Sequence, residues 1–156
     1  MMQDKSRIQL ALNNLRAGRY RDALSGFQSQ KNLVRADAKL VHAAFLAANG
    51  AGEWELAENY LQLLATLLPD RFEVHSTAGT FFLDRRRYEL AIKSFQQAIK
   101  LKPNEPGLYY NLALAYNKIS ESRMADFYYN RYQDMLSLRK AQERLEEVRK
   151  EQEREK

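Results

Sequence analysis

The chain has 156 residues, with 25 basic and 20 acidic side chains, a net charge of +5 and no cysteine. That length suits one compact domain or one short repeat array, and the missing cysteines exclude disulfides, thiolate metal sites and cysteine nucleophiles together. No apolar run approaches the roughly 20 residues that cross a bilayer, and the opening Met1-Met2-Gln3-Asp4-Lys5 holds no apolar segment, so neither membrane insertion nor a secretory signal is expected.

Taken in order, the elements follow a ruler set by alanine. Ala23, Ala57, Ala91 and Ala125 stand 34 residues apart. Three positions before each come Tyr20, Trp54, Tyr88 and Ser122, and four positions after each come Phe27, Leu61, Phe95 and Tyr129. With Asp4 as position 1, the register predicts four units without insertions, at 4–37, 38–71, 72–105 and 106–139. Each is expected to hold two amphipathic helices of roughly 14 residues joined by a tight turn.

In the first unit, Ala17-Gly18-Arg19 puts glycine just past the first helix, where a left-handed cap is wanted, and Ala51-Gly52-Glu53 does the same in the second. The first unit is irregular, with Asn14, Gln30 and Arg35 where the third unit has Phe82, Ala98 and Pro103. The second carries Phe45 at position 8, where the others have Ala11, Gly79 and Ala113, so its helices should pack in a shifted way. Pro69-Asp70 and Pro103-Asn104 are expected to stop a second helix and cap the next. The small residue at position 8 is expected to face the alanine at position 20, drawing the paired helices together.

The fourth unit has Ser137 where the two before it have proline, so its last helix can run on, from about Glu121 to about Glu151. Residues 139–156 are highly charged, with a stripe of Leu138, Ala141, Leu145 and Val148 at spacings of 3, 4 and 3. Leu138 and Ala141 are expected to fold against the last unit as a cap, with the remainder extending into solvent; a short dimerising arm is the alternative.

The third unit, with Ala78-Gly79, Phe82, Tyr88, Ala91, Phe95, Ala98 and Pro103, and the fourth, with Tyr109, Leu112-Ala113, Tyr116, Ala125 and Tyr129, resemble the tetratricopeptide (TPR) pattern. The resemblance implies an all-α, right-handed α-solenoid of four helix-turn-helix repeats, followed here by the long charged C-terminal helix. It also implies a concave groove lined by the first helix of each repeat, which takes an extended or helical peptide. On that face the partner-binding candidates are Ile8, Leu12, Lys39, His42, Leu46, Asn49, Thr77, Thr80, Tyr110, Asn111, Leu114 and Asn117, with Lys118 at the edge. Chaperone-binding members carry a lysine–asparagine–arginine clamp there for a terminal carboxylate. Ile8 and Leu12 stand in its place, so a segment with apolar anchors is the expected ligand.

Nothing in the sequence gathers a catalytic constellation, and no enzyme activity, cofactor or metal is expected. His42 and His75 are 33 residues apart and occupy different repeat positions, and His75 falls in a packing column. Arg85-Arg86-Arg87 falls in a turn, flanked by Asp84 and Glu89, and reads as a solvated turn and not a nucleic-acid site. Tyr110, Tyr128 and Tyr132 are less committed to packing and would mark an interface if exposed. The chain is therefore expected to be a protein–protein interaction module, an adaptor or assembly scaffold. The alternatives are a secretion-type chaperone for an exported client and a scaffold that self-assembles through its groove or C-terminal helix. The cytoplasm is the expected compartment; a periplasmic one would require a leader removed from the chain given.

Overall fold

The computed structural model describes residues 2–154, and among them the backbone is helical, with no strand. Nine helices follow in order: α1 Met2–Arg16, α2 Tyr20–Ser29, α3 Lys31–Arg35, α4 Ala38–Ala51, α5 Trp54–Leu67, α6 Phe72–Asp84, α7 Tyr88–Leu101, α8 Pro106–Lys118 and α9 Ser122–Arg154. Helix starts at 38, 72 and 106, and again at 20, 54, 88 and 122, keep the 34-residue spacing. The chain divides into two compact units, Met1–Val74 and His75–Lys156.

The turn inside each hairpin is the same device four times over. The residues at 18, 52, 86 and 120 all have positive φ: Gly18 at 71°, Gly52 at 80°, Arg86 at 59° and Ser120 at 62°. Immediately after, the amides of Arg19, Glu53, Arg87 and Glu121 donate back to the carbonyls of Asn14, Ala48, Phe82 and Tyr116, at 2.9 to 3.1 Å. This is the bond that closes a Schellman turn and satisfies an orphan carbonyl of the first helix. The carbonyls of these four residues then accept from Ala23, Ala57, Ala91 and Ala125, opening the second helix. Glycine, the usual residue for this backbone, fills only two of the four positions.

Between hairpins, proline sets the path. Leu68 and Lys102, each preceding a proline, sit at ψ 60° and 80°, out of the helical region, as clash with the proline ring requires. The cap of α8 falls on Glu105, with no side-chain hydrogen bond, and not on Asn104 as the sequence suggested; Pro106 opens the helix at a position where no N–H is needed. At α4 the cap is Asp37, whose carboxylate accepts from the Lys39 amide at 2.8 Å.

In the first unit, α4 is the central element, packed by α1, α2, α3 and α5. Its Val41, Ala43, Ala44, Phe45, Ala47 and Ala48 are all buried, together with Ala23, Phe27, Val34 and Leu61. Phe45 is buried at the small-residue position, and this repeat carries the smaller Leu61 in the column where the third repeat has Phe95. Gly26 lies so close to Ala11 that an added Cβ would sit 2.7 Å from the Ala11 Cβ. The ring of Tyr20 covers Gly50 in the same manner.

In the second unit, α8 packs against both α7 and α9 around Phe95, Leu108 and Leu112, all fully buried. A Cβ on Gly79 would meet the Phe95 ring at 2.5 Å, so the small residue at position 8 of this repeat makes room for the aromatic at position 24. Tyr109 donates from its hydroxyl to the Pro103 carbonyl in the α7–α8 loop at 2.7 Å, and Gln96 of α7 donates to the Tyr116 hydroxyl of α8 at 3.2 Å. Met135 and Leu136 are the last half-buried residues of α9. Leu138 borders a shallow concavity with Asn104 and Pro106 but is 61% exposed, and Ala141 is exposed, so they cover little of the last repeat. From Arg139 to Arg154 every residue is exposed.

Candidate functional site

The sequence-derived candidates all lie on first helices. In the first unit, Ile8 and Leu12 are one turn apart on α1 and half-buried, while Lys39, His42, Leu46 and Asn49 follow each other along α4 at spacings of 3, 4 and 3. Lys39, His42 and Leu46 are exposed, and Asn49 is half-buried. Because the neighbouring faces of α4 are buried, this line is the strip that the helix offers to solvent, with Leu46 at its centre 39% exposed. The His42 ring lies roughly parallel to that of Phe45, with centroids 6.2 Å apart.

In the second unit, Thr77 is half-buried and Thr80 exposed on α6, the latter donating to the Ser76 carbonyl at 3.2 Å within its own helix. Tyr110, Leu114 and Asn117 run along α8 and border a shallow cavity of about 350 Å³ closed on its far side by Ser122, Asp126 and Tyr129 of α9. Asn111 lies beside that line, half-buried, and does not border the cavity. Tyr110, 46% exposed, rests against Tyr132 with ring centroids 5.3 Å apart. Tyr128 stacks almost parallel on Tyr116 at 5.5 Å. Tyr128 is thus a packing residue, whereas Tyr110 and, on the opposite side of the cavity, Tyr129 are exposed. The structure gathers the candidates by helix, four on α4 and three around the α8 cavity.

A larger concavity, of about 630 Å³, lies in the first unit on second-helix surfaces that the sequence reading passed over. It opens between Gln28, Lys31, Val34 and Arg35 on one side and Leu56, Asn59, Tyr60, Gln62, Leu63 and Thr66 of α5 on the other. Its cause is the break between α2 and α3: Gln30 leaves the helix at φ −120°, ψ 34°, at the column where Leu64 and Ala98 are buried. A polar side chain at that position makes an unbroken apolar helix face unfavourable, and the anomalous Gln30 was the only signal of it in the sequence. Burial raises the Tyr60 hydroxyl pKa above the ordinary tyrosine value, with Arg35 pulling it part of the way back.

The arginine run sits in the α6–α7 turn. Arg85 folds back, its guanidinium 4.1 Å above the Phe81 ring and donating to the Phe81 carbonyl at 3.2 Å. Arg87 lies over Phe82 at 5.1 Å. Two of the three cations thus lie over aromatic rings of α6. His75 is half-buried on α6. Among the described residues no group of three or more histidines, aspartates and glutamates is placed to hold a metal ion, and no helix is long and apolar enough to cross a membrane.

Residues 79–120 match the family model for the TPR repeat. No curated protein matches the chain by sequence. Among solved structures the chain is similar to MamA. A crystal structure of MamA aligns with TM-score 0.78 at 17% identity, covering 88% of this chain and 81% of that one. MamA 41-end from Desulfovibrio magneticus RS-1 aligns with TM-score 0.76 at 15% identity, covering 86% and 76%. The MamA RS-1 ArsTM double mutant gives 0.74 at 20% identity, covering 85% and 74%. At these identities the likeness shows the fold alone, an α-solenoid of helical hairpins, which is the class expected from the sequence.

Proposed function

We propose that this chain is a protein-interaction scaffold that holds a segment of a partner polypeptide on the exposed strips of its first helices. The observation that carries the reading is α4: a helix buried on its other faces leaves Lys39, His42, Leu46 and Asn49 in one line, with a leucine at the centre. An exposed leucine between a histidine and an amide suits an apolar anchor of the partner flanked by polar contacts, as an amphipathic helix or short extended segment supplies. Ile8 and Leu12 on α1 in the first unit, and Thr77 and Thr80 on α6 with Tyr110, Asn111, Leu114 and Asn117 on α8 in the second, offer strips of the same kind within their own units. With Lys39 the only charged residue among the twelve, the surface is poor in the cations that nucleic acid requires. No catalytic role is proposed for any of these residues.

The test is affinity capture from the native cell with wild-type chain and a Leu46→Glu/Leu114→Glu variant, both checked for helicity. Loss of the same partner from the variant supports the reading; retention overturns it. A second reading, self-association through the C-terminal helix, is favoured by the exposure of Leu138, Leu145 and Val148, at 61%, 70% and 49%. Light scattering that rises with concentration in wild type but not in Leu145→Lys would support it.

A further inference from the structure

We infer that the open groove between α2–α3 and α5 is a second docking surface, distinct from the first-helix strips, and that it takes an acidic peptide segment carrying an apolar side chain next to its carboxylates. The break at Gln30 turns α3 away from the line of α2 and sets Lys31 and Arg35 one helical turn apart, both facing the groove. Among the described residues neither cation makes an ion pair, and no carboxylate lines the groove. The carboxylates of the facing helix, Glu55 and Glu58, lie outside the lining, so the groove itself carries two cations and no acid, a positive concavity that concentrates anionic ligands.

The rest of the lining selects among anions. Val34 is buried at 1% exposure and, with Leu56 and Leu63, gives the groove an apolar floor. The α5 wall adds the Asn59 and Gln62 amides and the Tyr60 hydroxyl, donors suited to a peptide carbonyl or a carboxylate. About 630 Å³ is room for a few side chains. A polynucleotide would need a longer run of cations to follow its backbone and gains little from aliphatic side chains. An acidic peptide meets both halves: carboxylates on Lys31 and Arg35, an aliphatic side chain on the floor.

The experiment uses the full chain, ¹⁵N-labelled, titrated with a peptide of Glu-Glu-Leu repeats. The side-chain amide resonances of Gln28, Asn59 and Gln62 are expected to shift together. Lys31→Glu/Arg35→Glu, both exposed positions, should weaken binding by roughly tenfold or more, and Lys31→Gln/Arg35→Gln by less. The Leu46→Glu variant should bind as wild type, which separates this site from the first-helix strips. Unmoved amides, unchanged affinity in the charge-reversed variant, equal binding of a Glu-Glu-Ser peptide, or displacement of the peptide by an oligothymidylate of equal charge would each overturn the inference.

Discussion

Arg86→Gly should stabilise the protein although it removes a side chain. Arg86 occupies a left-handed turn at φ 59°, and its exposed side chain makes no hydrogen bond or ion pair in the structure, so the substitution removes no such interaction. A non-glycine residue in that region costs about 1–2 kcal/mol. Glycine returns about 0.5–1 kcal/mol of this through its greater freedom in the unfolded chain. The net gain is about 0.5–1 kcal/mol, or roughly 2 °C in Tm for a chain of this size. Gly18→Ala is the mirror experiment: no atom lies within 4 Å of the added Cβ, so the backbone alone decides, and a loss of about 1 kcal/mol is expected. Urea denaturation followed by circular dichroism measures both. If Arg86→Gly lowers the midpoint, or if Gly18→Ala leaves it unchanged, the account of the four turns is wrong.

Gly79→Ala places a methyl group 2.5 Å from the Phe95 ring. A loss of about 1–3 kcal/mol in a urea titration is expected, with part regained in the Gly79→Ala/Phe95→Leu double variant, as coupled neighbours require. Burial raises the pKa of both Tyr60 and Tyr116 above 10.0, the latter reinforced by Tyr128 and Glu121 and opposed by the Gln96 hydrogen bond. A proton held more tightly in the folded state stabilises the fold fully below the unfolded value and is lost as pH rises through the folded one. The urea midpoint of wild type should therefore fall above about pH 10, and less so in Tyr60→Phe/Tyr116→Phe. Leu145→Ala, at a site 70% exposed, should change stability in dilute solution by less than about 0.5 kcal/mol; a larger loss would show that the outer part of α9 is packed.

What the sequence made legible was whatever depends on volume in register. Alanine at 23, 57, 91 and 125 marked the start of every second helix because that column is fully or nearly buried in all four copies. Gly18 and Gly52 announced their turns, but the same backbone at Arg86 and Ser120 left no mark, since the Schellman bonds hold it whichever residue is there. Gly79 was legible as a point of close approach, but the sequence did not show that the ring of Phe95 is what lies against it. The stripe of Leu138 and Ala141 had the spacing of a packed face, yet spacing cannot tell whether any surface remains for it to pack on. The α2–α5 groove was invisible for a related reason. It arises from the helix that fails to continue past Gln30, and a periodicity search finds what continues. The first-helix candidates were placed by face, and the structure sorts them into an exposed α4 line and an α8 cavity border.

The outer part of α9, from Arg139 to Arg154, is a rod roughly 24 Å long held only at its inner end. Such a rod magnifies: a tilt of about ten degrees near Met135 would carry its tip through roughly 4 Å, so repacking against α8 too small to register in the core would be read out as a measurable displacement of the far end.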